Sequence, residues 1–200
     1  MFFVFLLVYS VNMSVLKVLF TAFKCSISRH QLKREIKSKG GRIGREVELT
    51  IGPNAQFLFG KSLYLIGRGI TAAKRMKITV SGGGKLLIGD YSGISSSSVF
   101  CKDKIVIGHH VNIGAECVII DSDFHSTNWE DRADRRNDVR NAKSAPIYIG
   151  DYVFIGTRSI ILKGVTIGEK TIIMAGSVVN KDIPANCIAG GNPCQILKRL

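Results

Sequence analysis

The sequence has 200 residues, of which 46% are hydrophobic and 22% are charged. This length suits one domain with an appendage rather than two full domains, and the apolar content excludes intrinsic disorder as the main state. The net charge is +13, but residues 1–45 alone carry eight of these positive charges. A nucleic-acid-binding body is therefore not expected in the rest of the chain.

The cysteines do not have the spacing of a metal site or a disulfide framework. Their number is odd, and no two of them stand in a close CxxC or CxxxC pair. Reduced thiols in the cytoplasm, with no structural metal, are the expectation. The five positions are Cys25, Cys101, Cys117, Cys187 and Cys194.

Residues 1–40 are predicted to form an apolar and basic helical segment. Phe2–Phe23 contains one charge, Lys17, and as a helix would reach about 33 Å, enough to span a membrane core. An overlapping helical pattern places an apolar stripe beside a basic face, which suits the surface of an anionic membrane. We expect association with the cytoplasmic face of the inner membrane, either spanning it or lying on it. The alternative is a stripe packed on the protein or on a sister subunit. Met13 is a second candidate for the first residue of the protein. A start there would remove the membrane-spanning option and keep the amphipathic pattern.

Residues 41–200 contain a repeat with a period of six. Nine Ile-Gly pairs occur, whereas random order would give about 2.6. Steps of six leave any one face of a helix, but they suit a chain that turns a corner after each short strand. Three such strands would complete a coil of about eighteen residues, and successive coils would stack as parallel strands about 4.8 Å apart. The longest unbroken series of aliphatic positions is Ile149, Ile155, Ile161, Ile167, Ile173 and Val179.

The repeat, together with GVTIG, AGSVV, KDIP and GNP near the end of the chain, resembles the hexapeptide-repeat acyltransferases. Among them it is most similar to the galactoside, maltose and serine acetyltransferases and to polysaccharide O-acetyltransferases, over about residues 43–198. The resemblance implies an all-β fold, a left-handed parallel β-helix of hexapeptide repeats with a projecting loop, preceded by the N-terminal helix. It also implies acetyl-CoA as the acyl donor, no metal, and a homotrimer whose active sites lie between adjacent β-helices.

The six-residue pattern stops between Ile119 and Ile149. We therefore predict a loop excursion over residues 121–146 and, after the last coils, a C-terminal cap over residues 185–200. A long loop on a rigid scaffold often carries function. Its positive and negative charges nearly balance, which favours a solvated loop over a phosphate-binding site.

His125 is the candidate catalytic base, because the resemblance places a histidine at the root of this loop. Imidazole can take the proton from an attacking hydroxyl group near neutral pH. We expect Asp121 or Asp123 to accept a hydrogen bond from the other ring nitrogen. His109 and His110 follow an Ile-Gly pair and are expected to be exposed corner residues.

The resemblance also assigns an acyl-donor site. The backbone N–H of Thr157 would face the thioester carbonyl and stabilise the developing oxyanion, and Ala175 would leave room for the pantetheine arm. Gln195 departs from the basic residues of relatives, so phosphate binding would rest on the lysines, for which exposed solubilising charge is the alternative. The positions matching the nucleotide end of the coenzyme are Asn180, Lys181, Gln195 and Lys198.

Two residues are candidates for binding the acceptor. Trp129, the only tryptophan, would stack on a sugar ring or else pin the loop to a neighbouring subunit. Ser97 lies near the position of an acceptor-binding asparagine in the galactoside enzymes.

The leading hypothesis is a coenzyme A-dependent O-acetyltransferase that acts on a sugar hydroxyl in surface polysaccharide or lipid-linked glycan biosynthesis. One alternative is an N-acyltransferase acting on an amino sugar or nucleotide sugar, and another is a non-catalytic β-helix scaffold, which would not need the loop histidine. A γ-type carbonic anhydrase would need three histidines around zinc, and His109, His110 and His125 have the wrong spacing for it.

Overall fold

The computed structural model describes residues 29–44, 46–66 and 76–200. Its strands form three sheets, here called A, B and C, with strands numbered in chain order. Sheet A contains β1 (Arg42–Ile43), β4 (Tyr64–Ile66), β7 (Gly93–Ser95), β10 (Asn112–Ile113), β13 (Phe154–Ile155), β16 (Ile172–Ile173), β18 (Cys187–Gly190) and β19 (Gln195–Arg199). Sheet B contains β2 (Val47–Ile51), β5 (Met76–Val80), β8 (Ser98–Cys101), β11 (Val118–Ile120), β14 (Ile160–Ile161) and β17 (Val178–Val179). Sheet C contains β3 (Gln56–Phe59), β6 (Lys85–Ile88), β9 (Lys104–Ile107), β12 (Ile147–Ile149) and β15 (Thr166–Ile167).

The register of the strands follows the six-residue repeat. Ile155 pairs in parallel with Ile113 on one side and with Ile173, eighteen residues later, on the other. The chain visits sheets A, B and C in turn, so that each coil lays one strand on each sheet. The predicted left-handed parallel β-helix is confirmed. Its last strand, β19, is antiparallel to β18.

The interior of the coils combines aliphatic side chains with small polar ones at the corners. Ile155 and Ile173 are completely buried, as the inward-facing repeat positions require. Ser159 and Thr171 are also buried, and their hydroxyl groups donate to the carbonyls of Gly156 and Pro184, each at 2.8 Å. Buried carbonyls need such donors because water cannot reach them. The small residues of the repeat therefore satisfy the backbone where the chain turns.

Helix α1 (Arg29–Ser38) lies at one end of the β-helix. Leu32 and Ile36 are buried in the same hydrophobic core as the coils. The amide of Gly41 donates to the carbonyl of Ile36 at 2.9 Å, which ends the helix directly beside β1. The apolar stretch Phe2–Phe23, on which the expectation of membrane association rests, lies outside the described residues. None of the helices in the described ranges has the length and apolar character needed to cross a membrane.

The projecting loop leaves the β-helix between β11 and β12, at the corner where sheet B passes to sheet C. Its two ends are joined, because the amide of Asp123 donates to the carbonyl of Lys143 and the amide of Ala145 donates to that of Asp121, both at 3.0 Å. Two short helices form the body of the loop, α2 (Trp129–Arg132) and α3 (Arg135–Asn141).

Candidate active site

His125 follows the joined base of the loop, and its side chain is 69% exposed. Nδ1 of its ring lies 2.6 Å from Oδ2 of Asp138. An ionised carboxylate can only accept hydrogen bonds, so Nδ1 carries the proton and donates it. In the neutral ring, Nε2 is then left with a lone pair that can accept a proton. The pair therefore has the arrangement of a general base with an orienting carboxylate.

Asp138 lies in α3, buried under the loop. Its second oxygen, Oδ1, accepts the amide N–H of Ser126 at 2.7 Å. The hydrogen bond from His125, and after it the one from Ser126, lowers the pKa of Asp138 below its ordinary value. Helix α3 begins after Asp134, whose side chain accepts the first free amides of the helix. The helix start and the amide of Ser126 together fix the carboxylate that faces the ring.

A set of hydrogen bonds joins the two helices of the loop. Oγ of Ser126 donates to Oδ2 of Asp131 at 2.7 Å, and Nη1 of Arg132 donates to the carbonyl of Ser126 at 2.7 Å. Nδ2 of Asn141 donates to the other oxygen of Asp131 at 2.8 Å. Connected polar groups of this kind hold one conformation more firmly than isolated pairs do. The network therefore positions α3 against the segment that carries the histidine.

The expectation that Asp121 orients the ring is wrong. Asp121 is completely buried, and its two oxygens accept the amides of Lys102 and Asp103 at 2.7 and 2.8 Å. Burial raises the pKa of Asp121, and these two hydrogen bonds oppose that rise. Where the chain leaves the coil, the corner amides of the preceding coil lose their strand partners. The carboxylate is used to satisfy them.

Asp123 does not orient the ring either, because it forms an ion pair with Lys163 at 2.9 Å. Both residues line a groove of about 300 Å³ at the corner between sheets B and C. Phe124, the neighbour of His125 in the chain, lines the same groove and packs on Phe100, with ring centroids 4.4 Å apart. The lining residues are Ile120, Ser122, Asp123, Phe124, Leu162, Lys163 and Asn180.

Thr157 and Ala175 lie on consecutive coils at the corner between sheets A and B. The amide of Gly176 donates to the carbonyl of Thr157 at 2.8 Å, which sets the two corners directly on each other. A Cβ on Gly156 would come within 2.4 Å of the amide nitrogen of Ala175. The stacked corners therefore need a glycine there, and the two predicted donor positions share one edge of the β-helix.

The residues predicted at the nucleotide end of the donor site are all exposed. Nζ of Lys181 donates to Oε1 of Gln195 at 2.9 Å, so these two are brought together. Lys198 lies farther along β19, paired with Ile188 of β18. Asn180 is placed differently, since it lines the groove beside the loop.

The prediction that Ser97 binds the acceptor is wrong. Its residue is only 1% exposed, and its hydroxyl group donates to the carbonyl of Gly114 at 2.9 Å and accepts the amide of Cys117 at 3.0 Å. A corner hydroxyl that faces inward cannot reach a substrate. Trp129 is 71% exposed at the start of α2, where its indole is free for either of the predicted roles.

His109 and His110 lie at the third corner, between sheets C and A. The ring of His110 is stacked between those of Tyr91 and Tyr152, at centroid distances of 5.0 and 4.9 Å. Nδ1 of His109 accepts the amide of Asp90 at 3.0 Å. The loop histidine is at a different corner, so the three histidines do not converge on a common point.

The structure brings together His125 and Asp138 but separates them from the predicted donor positions Thr157 and Ala175. The histidine and the groove lie at the B–C corner, whereas Thr157 and Ala175 lie at the A–B corner, with the strands of sheet B between them. Sequence reasoning missed Asp138 because it follows His125 by thirteen residues in a loop with several acids. The only local signal in the sequence was Asp134, the helix-capping aspartate that precedes α3.

Comparison with known proteins supports the repeat directly. Residues 146–181 match the family described as bacterial transferase hexapeptide, six repeats. The galactoside O-acetyltransferase of Escherichia coli (strain K12) is 49% identical over 57 residues, 28% of either chain. Over these segments the chain is similar to the hexapeptide-repeat acetyltransferases. The matched segments span less than a third of the length of the curated relatives.

Solved structures share the fold of this hexapeptide-repeat protein over most of its length. The polySia-specific acetyltransferase NeuO superposes with a TM-score of 0.55 at 27% identity, covering 77% of this chain and 82% of that one. AntD, an N-acyltransferase from Bacillus cereus solved with dTDP and coenzyme A, gives a TM-score of 0.56 at 21% identity, covering 84% and 88%. The second likeness shows the fold alone.

Proposed function

We propose that this protein transfers an acetyl group from coenzyme A to a sugar hydroxyl, in the assembly of a surface polysaccharide or lipid-linked glycan. The observation that carries the proposal is the hydrogen bond from His125 to Asp138, which leaves Nε2 free to accept a proton. The similarity to the hexapeptide-repeat acetyltransferases supports the acetyl donor. The galactoside and polySia enzymes support a carbohydrate acceptor.

The reaction needs one proton to move twice. As the sugar oxygen attacks the thioester carbonyl, Nε2 of His125 takes the hydroxyl proton, and Asp138 stabilises the imidazolium that forms. A C–O bond forms, and the carbonyl oxygen becomes an oxyanion. When the intermediate collapses, the C–S bond breaks and the coenzyme thiolate takes the proton back from Nε2. The acetylated sugar and free coenzyme A leave, and the neutral base is restored.

The developing oxyanion needs a hydrogen-bond donor, and the backbone N–H of Thr157 is the candidate. Since Thr157 and His125 lie at different corners of one chain, the donor edge of one copy must meet the loop of another to form a complete site. A homotrimer satisfies this requirement, because each β-helix contributes its donor edge to one site and its loop to another. In the trimer Ala175 would border the pantetheine arm, with Lys181 and Lys198 nearer the coenzyme phosphates.

The same base would also serve an amine, so the nature of the acceptor is decided by the product. Full-length protein is incubated with acetyl-CoA and a panel of neutral, acidic and amino sugars, as monomers and oligomers, with release of coenzyme thiol followed. The proposal predicts acceptor-dependent release and a product with an alkali-labile ester by NMR. An alkali-stable amide product would show that the protein is an N-acyltransferase rather than an O-acetyltransferase. Binding of acetyl-CoA without transfer to any acceptor would support a non-catalytic protein.

A further inference from the structure

Helix α1 has a side that belongs to the core and a side that does not. Leu32 and Ile36 face the coils and are buried. At about 100° per residue, Lys33, Arg34 and Lys37 fall within one arc of roughly 100° on another side of the helix. His30, also exposed, falls in the same arc. The helix therefore presents a basic face, defined here by these four residues, at the end of the β-helix.

The cations of this basic face have no partners among the described residues. Lys33, Arg34 and Lys37 form no ion pair or hydrogen bond there, whereas the nearby Lys39 pairs with Glu35 at 3.3 Å and lies over the Phe59 ring. Glu35 is the only acid between residues 29 and 44, against six lysines and arginines. The basic face is thus both uncompensated and free to meet an anionic surface.

We propose that this end of the β-helix docks on an anionic lipid surface through the basic face of α1. The amino acids that precede the helix favour lipid over nucleic acid, because Phe2–Phe23 contains a single charge. A polyanion such as nucleic acid offers no apolar phase for such a stretch, whereas a membrane offers both charge and hydrocarbon. The protein then stands at the cytoplasmic face of the inner membrane. This inference does not depend on the acetyl-transfer proposal.

The geometry gives the docked protein an orientation. The parallel strands of sheet A run from β1, beside α1, to β18. Six spacings of about 4.8 Å separate these two strands, which places them roughly 29 Å apart. The axis of the β-helix therefore points away from the lipid, with β19 as the far end. The loop leaves the coils between these two ends.

The first test compares binding of full-length protein to vesicles of phosphatidylcholine with and without phosphatidylglycerol. A triple variant, Lys33→Gln, Arg34→Gln and Lys37→Gln, keeps helix propensity and removes three charges. Each near-surface cation is worth about fivefold in partitioning, so the variant should bind the anionic vesicles roughly 100-fold more weakly. Added salt should weaken the wild type in the same direction.

The matched control removes the same charge from the loop, through Arg135→Gln, Arg136→Gln and Arg140→Gln. This variant should stay within about twofold of wild-type binding to anionic vesicles. Equal loss in both triple variants would mean that net charge alone acts, and it would overturn the proposal. Undiminished vesicle binding by the α1 variant would also overturn the proposal. Binding to a single-stranded oligonucleotide is measured beside it, and its loss in the variant would not rescue the proposal.

Orientation is tested by energy transfer to a fluorescent lipid from dyes at Lys61→Cys, beside β1, and Leu200→Cys, beside β19. Both are made in a Cys25→Ser background, where the remaining cysteines are buried. Stronger transfer from position 61 is expected. Equal or stronger transfer from position 200 would overturn the orientation.

Discussion

Nδ1 of His125 and Oδ2 of Asp138 lie 2.6 Å apart, although thirteen residues separate them in the chain. The other oxygen of the same carboxylate holds the amide of Ser126. The aspartate thus has two donors for its two oxygens, one of which sets the tautomer of the ring.

Asp138→Asn should therefore abolish the base rather than weaken it slightly. An asparagine side chain has one acceptor oxygen for the two donors, the amide of Ser126 and Nδ1 of His125. If that oxygen meets Ser126, its NH₂ group meets Nδ1 and forces the proton onto Nε2, where it blocks proton transfer. We expect kcat to fall by roughly 10²–10⁴-fold, with KM for acetyl-CoA unchanged.

The control for this variant is Asp134→Asn at the start of the same helix. Asparagine caps a helix about as well as aspartate, so α3 should keep its position and the rate should stay near that of wild type. Equal losses in both variants would show that the loop has simply unfolded.

Stability should depend on Asp138 in a defined pH range. Its pKa is lowered in the folded protein, so its contribution is fully present above its pKa in the unfolded chain, about 3.9. The contribution is lost as pH falls through the lower pKa of the folded state. Urea unfolding of wild type and Asp138→Asn should differ by a constant free energy above about pH 5, and the difference should shrink below it. If the difference already shrinks between about pH 6 and about pH 5, that result would contradict the lowered pKa of Asp138.

The β-helix could be predicted from the sequence because its signal is local and repeated. Aliphatic residues recur every six positions. Those eighteen positions apart, such as Ile155 and Ile173, occupy the same place in successive coils and are buried there. The loop root and His125 could be placed because the repeat stops there. These predictions needed no knowledge of contacts between distant residues.

The partners of the site residues could not be predicted, because tertiary folding of the loop chooses among several acids. Asp121 and Asp123 stand four and two residues before His125 in the sequence. Asp121 nevertheless accepts the amides of Lys102 and Asp103. Ser97 was misplaced for a similar reason, since its hydroxyl satisfies the corner of the next coil. Backbone groups without strand partners decided both positions.

Gly156→Ala should destabilise the protein through the donor edge. The added Cβ would lie 2.4 Å from the amide nitrogen of Ala175 and 2.8 Å from its Cα, so the stacked corners would have to move apart. We expect a loss of about 1–3 kcal/mol in unfolding free energy, measured by urea titration. Gly93→Ala is the comparison, because its Cβ would have no neighbour closer than 3.6 Å. Similar losses at both positions would mean that the corner contact is not the cause.

Subunit mixing tests whether the site is shared between copies. Ala175→Trp, at an exposed position, should block the donor edge, while His125→Ala removes the base. Each variant alone should be inactive, and refolding them together should restore a measurable fraction of wild-type activity in mixed trimers, with light scattering giving the oligomeric state. A mixture that forms mixed trimers but stays inactive would place both functions in one chain.

The most direct test is the rate of acetyl transfer by His125→Ala beside His110→Ala. The account predicts a loss of roughly 10²–10⁴-fold for the first, with coenzyme binding and oligomeric state unchanged. It predicts a rate near wild type for the second, because His110 lies at the corner between sheets C and A among tyrosine rings. If His125→Ala retained most of its activity, or if His110→Ala abolished it, His125 would not be the base.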